Sequence, residues 1–142
     1  MALLNPYLNF NGQCREALTF YQECFDGELA LQKISESPMA ATMPSEKSAH
    51  ILHGTLTRNG TVLLMGSDMI GNHLQPGNSI GLCLNCTSDK EINTLFNRLS
   101  AGGQVKAALH QSFWGATYAE VTDKFGISWM LNYTKETSPP TS

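Results

Sequence analysis

The fold class this sequence predicts is α+β, built from two βαβββ modules, and three observations carry that prediction. Two amphipathic segments, residues 13–25 and 88–101, place apolar side chains at the helical period and then stop at glycine. Each is preceded by a strand-like run and followed by one more strand and then two strand-like runs joined by a turn. Between the copies, residues 69–78 form a polar linker containing Gly71, Pro76 and Gly77, after which the pattern restarts. One such module buries the side of its sheet that faces the helix and leaves the other side bare. Two copies are therefore expected to pair, within a chain or across a dimer, enclosing a cleft. The expected layout is a single domain: module one at about 1–68, module two at about 79–134, and a frayed tail at 135–142.

Taken in order, residues 3–10 read as a first strand whose Pro6 suits an edge or a strand start. In residues 13–25, Cys14, Leu18, Tyr21 and Phe25 form a buried stripe, and Asp26-Gly27 closes the helix. Residues 28–35 alternate weakly as a strand. Residues 36–48 carry prolines and no period, and are expected to be a loop or lid. Asn59-Gly60 between the runs 49–57 and 61–67 is a strong hairpin signal. Residues 79–86 form the next strand. Ser88 and Glu91 then have capping-box spacing, Ile92, Leu95, Phe96 and Leu99 make the second stripe, and Gly102-Gly103 ends it. Residues 104–110 lead into a closing hairpin, with strands at 113–122 and 127–133 and a turn at 123–126.

The chain has 142 residues, 42% of them hydrophobic and 15% charged, with a formal net charge of −3. That is an ordinary globular composition. Its nine Lys and Arg are scattered singly, so no nucleic-acid partner is expected. No apolar run approaches bilayer length, and the first residues lack a basic and then apolar leader, so no membrane partner and a cytoplasmic location are expected. The four cysteines are expected to be reduced. Cys83 and Cys86 have C-x-x-C spacing, but three residues along a strand point their sulfurs to opposite faces.

The closing hairpin offers the most chemistry. At the strand period of two, Trp114, Ala116, Tyr118, Glu120 and Thr122 share one face, which is either a ligand wall or a solvated face with cross-strand aromatic packing. His110 is either a general base or a surface strand-end residue. Asp68 reads as a turn or cap residue, and His50 and His53 point to opposite faces of a strand and cannot readily share a metal. No phosphate-binding loop, nucleophile elbow or His-Glu-x-x-His is present.

Three groups of residues extend the reading. They are Tyr7-Leu8-Asn9-Phe10-Asn11-Gly12 with Glu16-Ala17-Leu18-Thr19-Phe20-Tyr21; Leu64-Met65-Gly66-Ser67-Asp68; and Phe113-Trp114-Gly115 with Val121-Thr122-Asp123-Lys124-Phe125-Gly126 and Trp129-Met130-Leu131-Asn132. Together they resemble the PhnB-like family of the vicinal oxygen chelate superfamily, which includes glyoxalase I, bleomycin-resistance proteins and extradiol dioxygenases. The resemblance implies a glyoxalase-like curved sheet and a homodimer. Metal enzymes of that superfamily take His, Gln or Glu ligands from the first and last strand of each module. Those positions fall, within about one residue, at Pro6, Met65, Gly81 and Met130, none of which is a credible ligand for a divalent metal. Family members often bear the name of a demethylubiquinone methyltransferase. A nucleotide-fold methyltransferase needs a glycine-rich turn after a parallel strand, whereas the double glycine here follows a helix.

The expectation that results is a small-molecule binding protein with no metal and no cofactor. Its pocket is expected to comprise Met65, His110, Trp114, Tyr118, Glu120 and Met130, with residues 36–48 as a lid. The alternative is a metal-dependent enzyme drawing atypical ligands from His50, Asp68, His110 and Glu120.

Overall fold

A computed structural model describes residues 2–41, 49–69 and 74–135. The chain divides into two compact units, Met1–Gln75 and Pro76–Ser142. Unit one contains β1 (Tyr7–Phe10), α1 (Cys14–Phe25), β2 (Glu28–Lys33), β3 (Ile51–Arg58) and β4 (Thr61–Asp68). Unit two contains β5 (Leu82–Asn85), α2 (Asp89–Ser100), β6 (Gln104–Gln111), β7 (Thr117–Thr122) and β8 (Ser128–Tyr133). Each is a βαβββ module with a four-stranded sheet, ordered β1-β4-β3-β2 in the first and β5-β8-β7-β6 in the second. The first strand of each module lies parallel to the last, and the remaining pairs are antiparallel. The predicted fold class is therefore present.

Each helix covers one face of its own sheet. The stripe of α1 buries Cys14, Leu18, Tyr21 and Phe25, and the sheet meets it with Leu56 and Leu64. Gly54 on β3 allows the close crossing, since a Cβ there would meet Leu18 Cδ1 and Leu31 Cδ2. In unit two, Ile92, Leu95 and Leu99 of α2 are buried together with Ala119, Val121 and Leu131 of the sheet. Residues between these on the strands point the other way, which leaves each sheet one face without a helix of its own unit.

The helix starts are secured differently. Ser88 Oγ accepts from the Glu91 amide at 3.0 Å, and Glu91 Oε1 accepts from the Thr87 amide at 2.8 Å, so the expected capping pair is present and reaches one residue further back. No side chain of Gln13 caps α1. Asp68, 3% exposed at the end of β4, supplies that cap from a distance, accepting from the Cys14 amide at 2.9 Å and the Ile51 amide at 2.8 Å. The cap reading of Asp68 holds, with a helix as its object. Asn59 and Gly60 both have positive φ, 53° and 79°, as the tight turn of the β3–β4 hairpin requires.

Several boundaries differ from expectation. β1 begins at Tyr7 and not at residue 3, because Leu3 and Leu4 are exposed and β1 has only β4 beside it to hold it extended. β5 is four residues long and Cys86 lies just past it. Part of the expected lid is two short 3₁₀ turns, Ile34–Glu36 and Pro38–Ala41, while residues 42–48 lie outside the described residues, as do 70–73 and 136–142 of the expected linker and tail. The largest correction is to the closing hairpin. β7 starts at Thr117, and residues 112–116 form a tight turn joining it to β6. The Ser112 amide donates to Ala116 O at 2.7 Å, the Gly115 amide donates to Ser112 O at 3.1 Å, and Gly115 takes a φ of 83°. Ala116 is consequently buried and breaks the face-sharing predicted for Trp114, Ala116 and Tyr118.

Candidate functional site

The bare face of the second sheet can be built row by row from its register. His110 on β6 lies opposite Tyr118 on β7, which lies opposite Asn132 on β8. In the next row Ala107 lies opposite Glu120, Glu120 opposite Met130, and Met130 opposite Cys83 on β5. Rows two residues apart on a strand present the same face. Tyr118 and Glu120 use that proximity: the phenol donates to Glu120 Oε1 at 2.8 Å. Burial, then the hydrogen bond to Glu120 and its charge, with a smaller contribution from Cys83, push the Tyr118 phenol up to about 12 from 10.0. Tyr118 therefore stays a neutral donor and Glu120 its acceptor.

Aromatic rings surround that pair. The His110 ring meets Tyr118 edge-on at 6.0 Å, and the Trp114 ring meets it at 5.2 Å and 73°. Trp114 reaches this position from the turn, not from a strand, with Nε1 donating to Asn132 Oδ1 at 3.4 Å. It is 49% exposed and so is not a core residue. Phe113, beside it at 4.9 Å, is 97% exposed. His110 Nδ1 lies 2.7 Å from Ala108 O, and since a carbonyl only accepts, that nitrogen carries the proton and donates.

Below Glu120 the face opens into a pocket of about 510 Å³. Lys106, Glu120, Thr122 and Ser128 supply its polar wall, Met130 part of its apolar wall, and residues 77, 78 and 81 one side. Five of the six residues expected to form a pocket, namely His110, Trp114, Tyr118, Glu120 and Met130, thus lie on this face or at its rim, and two of them, Glu120 and Met130, line the cavity.

The sixth, Met65, belongs to unit one. It sits on the bare face of the first sheet, in register between Tyr7 on β1 and Thr55 on β3. Beside it is a cluster that sequence reasoning missed: His53 Nδ1 is 3.3 Å from the Tyr7 hydroxyl and Nε2 is 3.1 Å from Thr55 Oγ1. The alternation of His53 with Thr55 was the available signal, since residues two apart on a strand share a face. Lys106 and Asn132 were also missed; a scattered lysine and an asparagine in an apolar strand carry no periodic signal.

Among the described residues, those at the superfamily's ligand positions do not fit a divalent metal. Pro6 is engaged through its carbonyl by the Met65 amide, Gly81 has no side chain, and Met65 and Met130 offer thioethers. Among the described residues no three His, Cys, Asp or Glu are grouped so as to hold an ion. Of the atypical ligands considered, Asp68 is buried and both its oxygens accept backbone amides.

Residues 3–132 match the model of a family described as 3-demethylubiquinone-9 3-methyltransferase. The chain is 33% identical to Protein YjdN of Escherichia coli (strain K12), over 94% of this chain and 96% of that one. Among solved structures it is similar to protein PA1353 from Pseudomonas aeruginosa, with a TM-score of 0.84 and 33% identity over 96% of this chain and 100% of that one. A putative 3-demethylubiquinone-9 3-methyltransferase, PhnB protein, from Bacillus cereus gives 0.77 and 25% identity, covering 94% and 100%. A glyoxalase/bleomycin resistance protein/dioxygenase family enzyme from Burkholderia phytofirmans PsJN shares the fold, at 0.62 and 12% identity, covering 91% and 97%.

Proposed function

From the premise that this chain belongs to the PhnB-like family of the glyoxalase/bleomycin resistance/dioxygenase superfamily, we propose that it is a small-molecule binding protein whose site is the bare face of its second sheet. The observation that carries the reading is the juxtaposition of the Trp114–Tyr118–Glu120 cluster with the cavity that Glu120 also lines. Ligand sites are concave and mainly apolar, with a few convergent polar groups, and this face combines both. A half-exposed indole held by Asn132 and Tyr118 is a ready stacking surface.

The methyl transfer named in the family description finds no glycine-rich nucleotide turn among the described residues. The segments joining β1 to α1 and β5 to α2 are Asn11-Gly12-Gln13 and Cys86-Thr87-Ser88, not glycine-rich turns, and Gly102-Gly103 lies between α2 and β6. Metal-free binding is favoured by the donor chemistry at positions 6, 65, 81 and 130. Elemental analysis of protein purified without tag or chelator should find metal far below one equivalent; near-stoichiometric zinc, nickel, manganese or iron would overturn this part of the proposal.

The site itself is tested by thermal unfolding against a fragment library. Compounds that stabilise the wild type should stabilise Trp114→Ala and Glu120→Gln much less, while Trp114→Ala alone should lower stability by no more than about 1–2 kcal/mol, as for a half-buried aromatic. Stabilisation that survives both substitutions would move the site elsewhere. We read the working species as a cytoplasmic homodimer. Four free cysteines fit a reducing compartment. Outer strands open on one side within their sheets, together with the exposed Leu3, Leu4 and Phe113, supply surface for a second copy. Sedimentation equilibrium at micromolar concentration should return twice the chain mass.

A further inference from the structure

We infer that the cavity beneath Glu120 selects ligands bearing both a cationic and an anionic group, such as free amino acids. This inference rests on the reading that the bare face of the second sheet takes a small molecule, and it names the class.

The two charges that line the cavity are opposite in sign, and each is placed by the strands. Val105 pairs with Val121 and Ala107 with Glu120, so Lys106 is the extra residue of a bulge in β6. A bulge re-aims its side chain, and here Lys106 joins the residues that line the cavity with Glu120. Glu120 is fixed from the other side, where Tyr118 donates to Oε1 at 2.8 Å and keeps its proton as it does so. The rest of the lining is neutral: Asn78, Thr122 and Ser128 can hydrogen-bond, and Met130 offers apolar contact. An anion alone would meet Lys106 favourably and Glu120 unfavourably. A cation alone would meet the reverse, and a neutral molecule would strip water from both charges with no return. A zwitterion answers both charges, its carboxylate toward Lys106 and its ammonium toward Glu120. The volume of about 510 Å³ accommodates an amino acid with an aromatic side chain.

The test uses four probes of one shape: phenylalanine, its N-acetyl derivative, its amide, and the N-acetyl amide, which carry both charges, the negative only, the positive only, and none. Each is titrated into the ¹⁵N-labelled full chain. Phenylalanine is expected to shift the amides of Gly81, Thr122, Gly126 and Ser128, and the other three to bind about tenfold more weakly or worse, as loss of a charge-assisted contact implies. Lys106→Met should weaken phenylalanine by a similar factor and remove its advantage over the amide; Glu120→Gln should remove its advantage over the N-acetyl derivative. If the uncharged probe binds this cavity as tightly as phenylalanine, the charge selection is wrong while small-molecule binding stands. If no probe shifts these amides, the inference fails; and if fragments also fail to stabilise the protein through Trp114 and Glu120, the broader reading fails with it.

Discussion

Tyr118 keeps its proton to a higher pH than a tyrosine in water, and that makes it a reporter of its surroundings. In the folded chain its pKa is raised from 10.0 to about 12, first by burial, then by Glu120. Below about pH 10 folded and unfolded states both hold the proton; between about 10 and 12 only the folded state does, so the stability this adds is lost as pH rises through that window. Phenolate absorbance should show a late-titrating component that loses amplitude in Tyr118→Phe, and Glu120→Gln should bring the Tyr118 contribution earlier. The thiols give a second check. Burial pushes Cys14 up to about 12 and Cys86 up to about 11, Cys24 is buried, and Cys83 is exposed. A disulfide reagent at mildly alkaline pH should therefore modify one thiol rapidly, and Cys83→Ser should abolish that phase. The opposite facing of Cys83 and Cys86 was legible in their spacing. The Tyr7–His53 contact was not, because it depends on β1 and β3 flanking the same strand, β4.

At the scale of elements, the two helices solve one problem in different ways. Removing the local cap with Ser88→Ala should cost about 0.5–2 kcal/mol by urea unfolding. Asp68→Ala should cost more, on the order of 2–4 kcal/mol, because it strands two buried amides, those of Cys14 and Ile51, on different elements. A smaller loss for Asp68→Ala than for Ser88→Ala would mean that water replaces the carboxylate. Helix positions were legible because amphipathic stripes and closing glycines are local signals. The start of β7 was not: Phe113 to Gly115 look like strand by composition, and the Ser112 hydroxyl and the positive φ of Gly115 decide for a turn.

At the scale of the molecule, the repeat of strand, helix, strand and hairpin disclosed the topology, since each module must cover one sheet face with its own helix. Strand order was not written in any local pattern, yet it has a measurable consequence. β4 and β3 in one sheet, and β8 and β7 in the other, are paired on both sides, while β1, β2, β5 and β6 are outermost. Amide hydrogen exchange should be slowest in the four inner strands, and an outer strand exchanging as slowly as its inner neighbour would contradict the order. β6 adds something further. It is an eight-residue outer strand, long enough to template the stacking of one chain on the next. Its pairing with β7 slips twice, once at Lys106 and once before His110, so no straight ribbon of free amides is offered to a foreign strand. The irregularity that shapes the pocket wall thus also guards the chain against fibrillar aggregation.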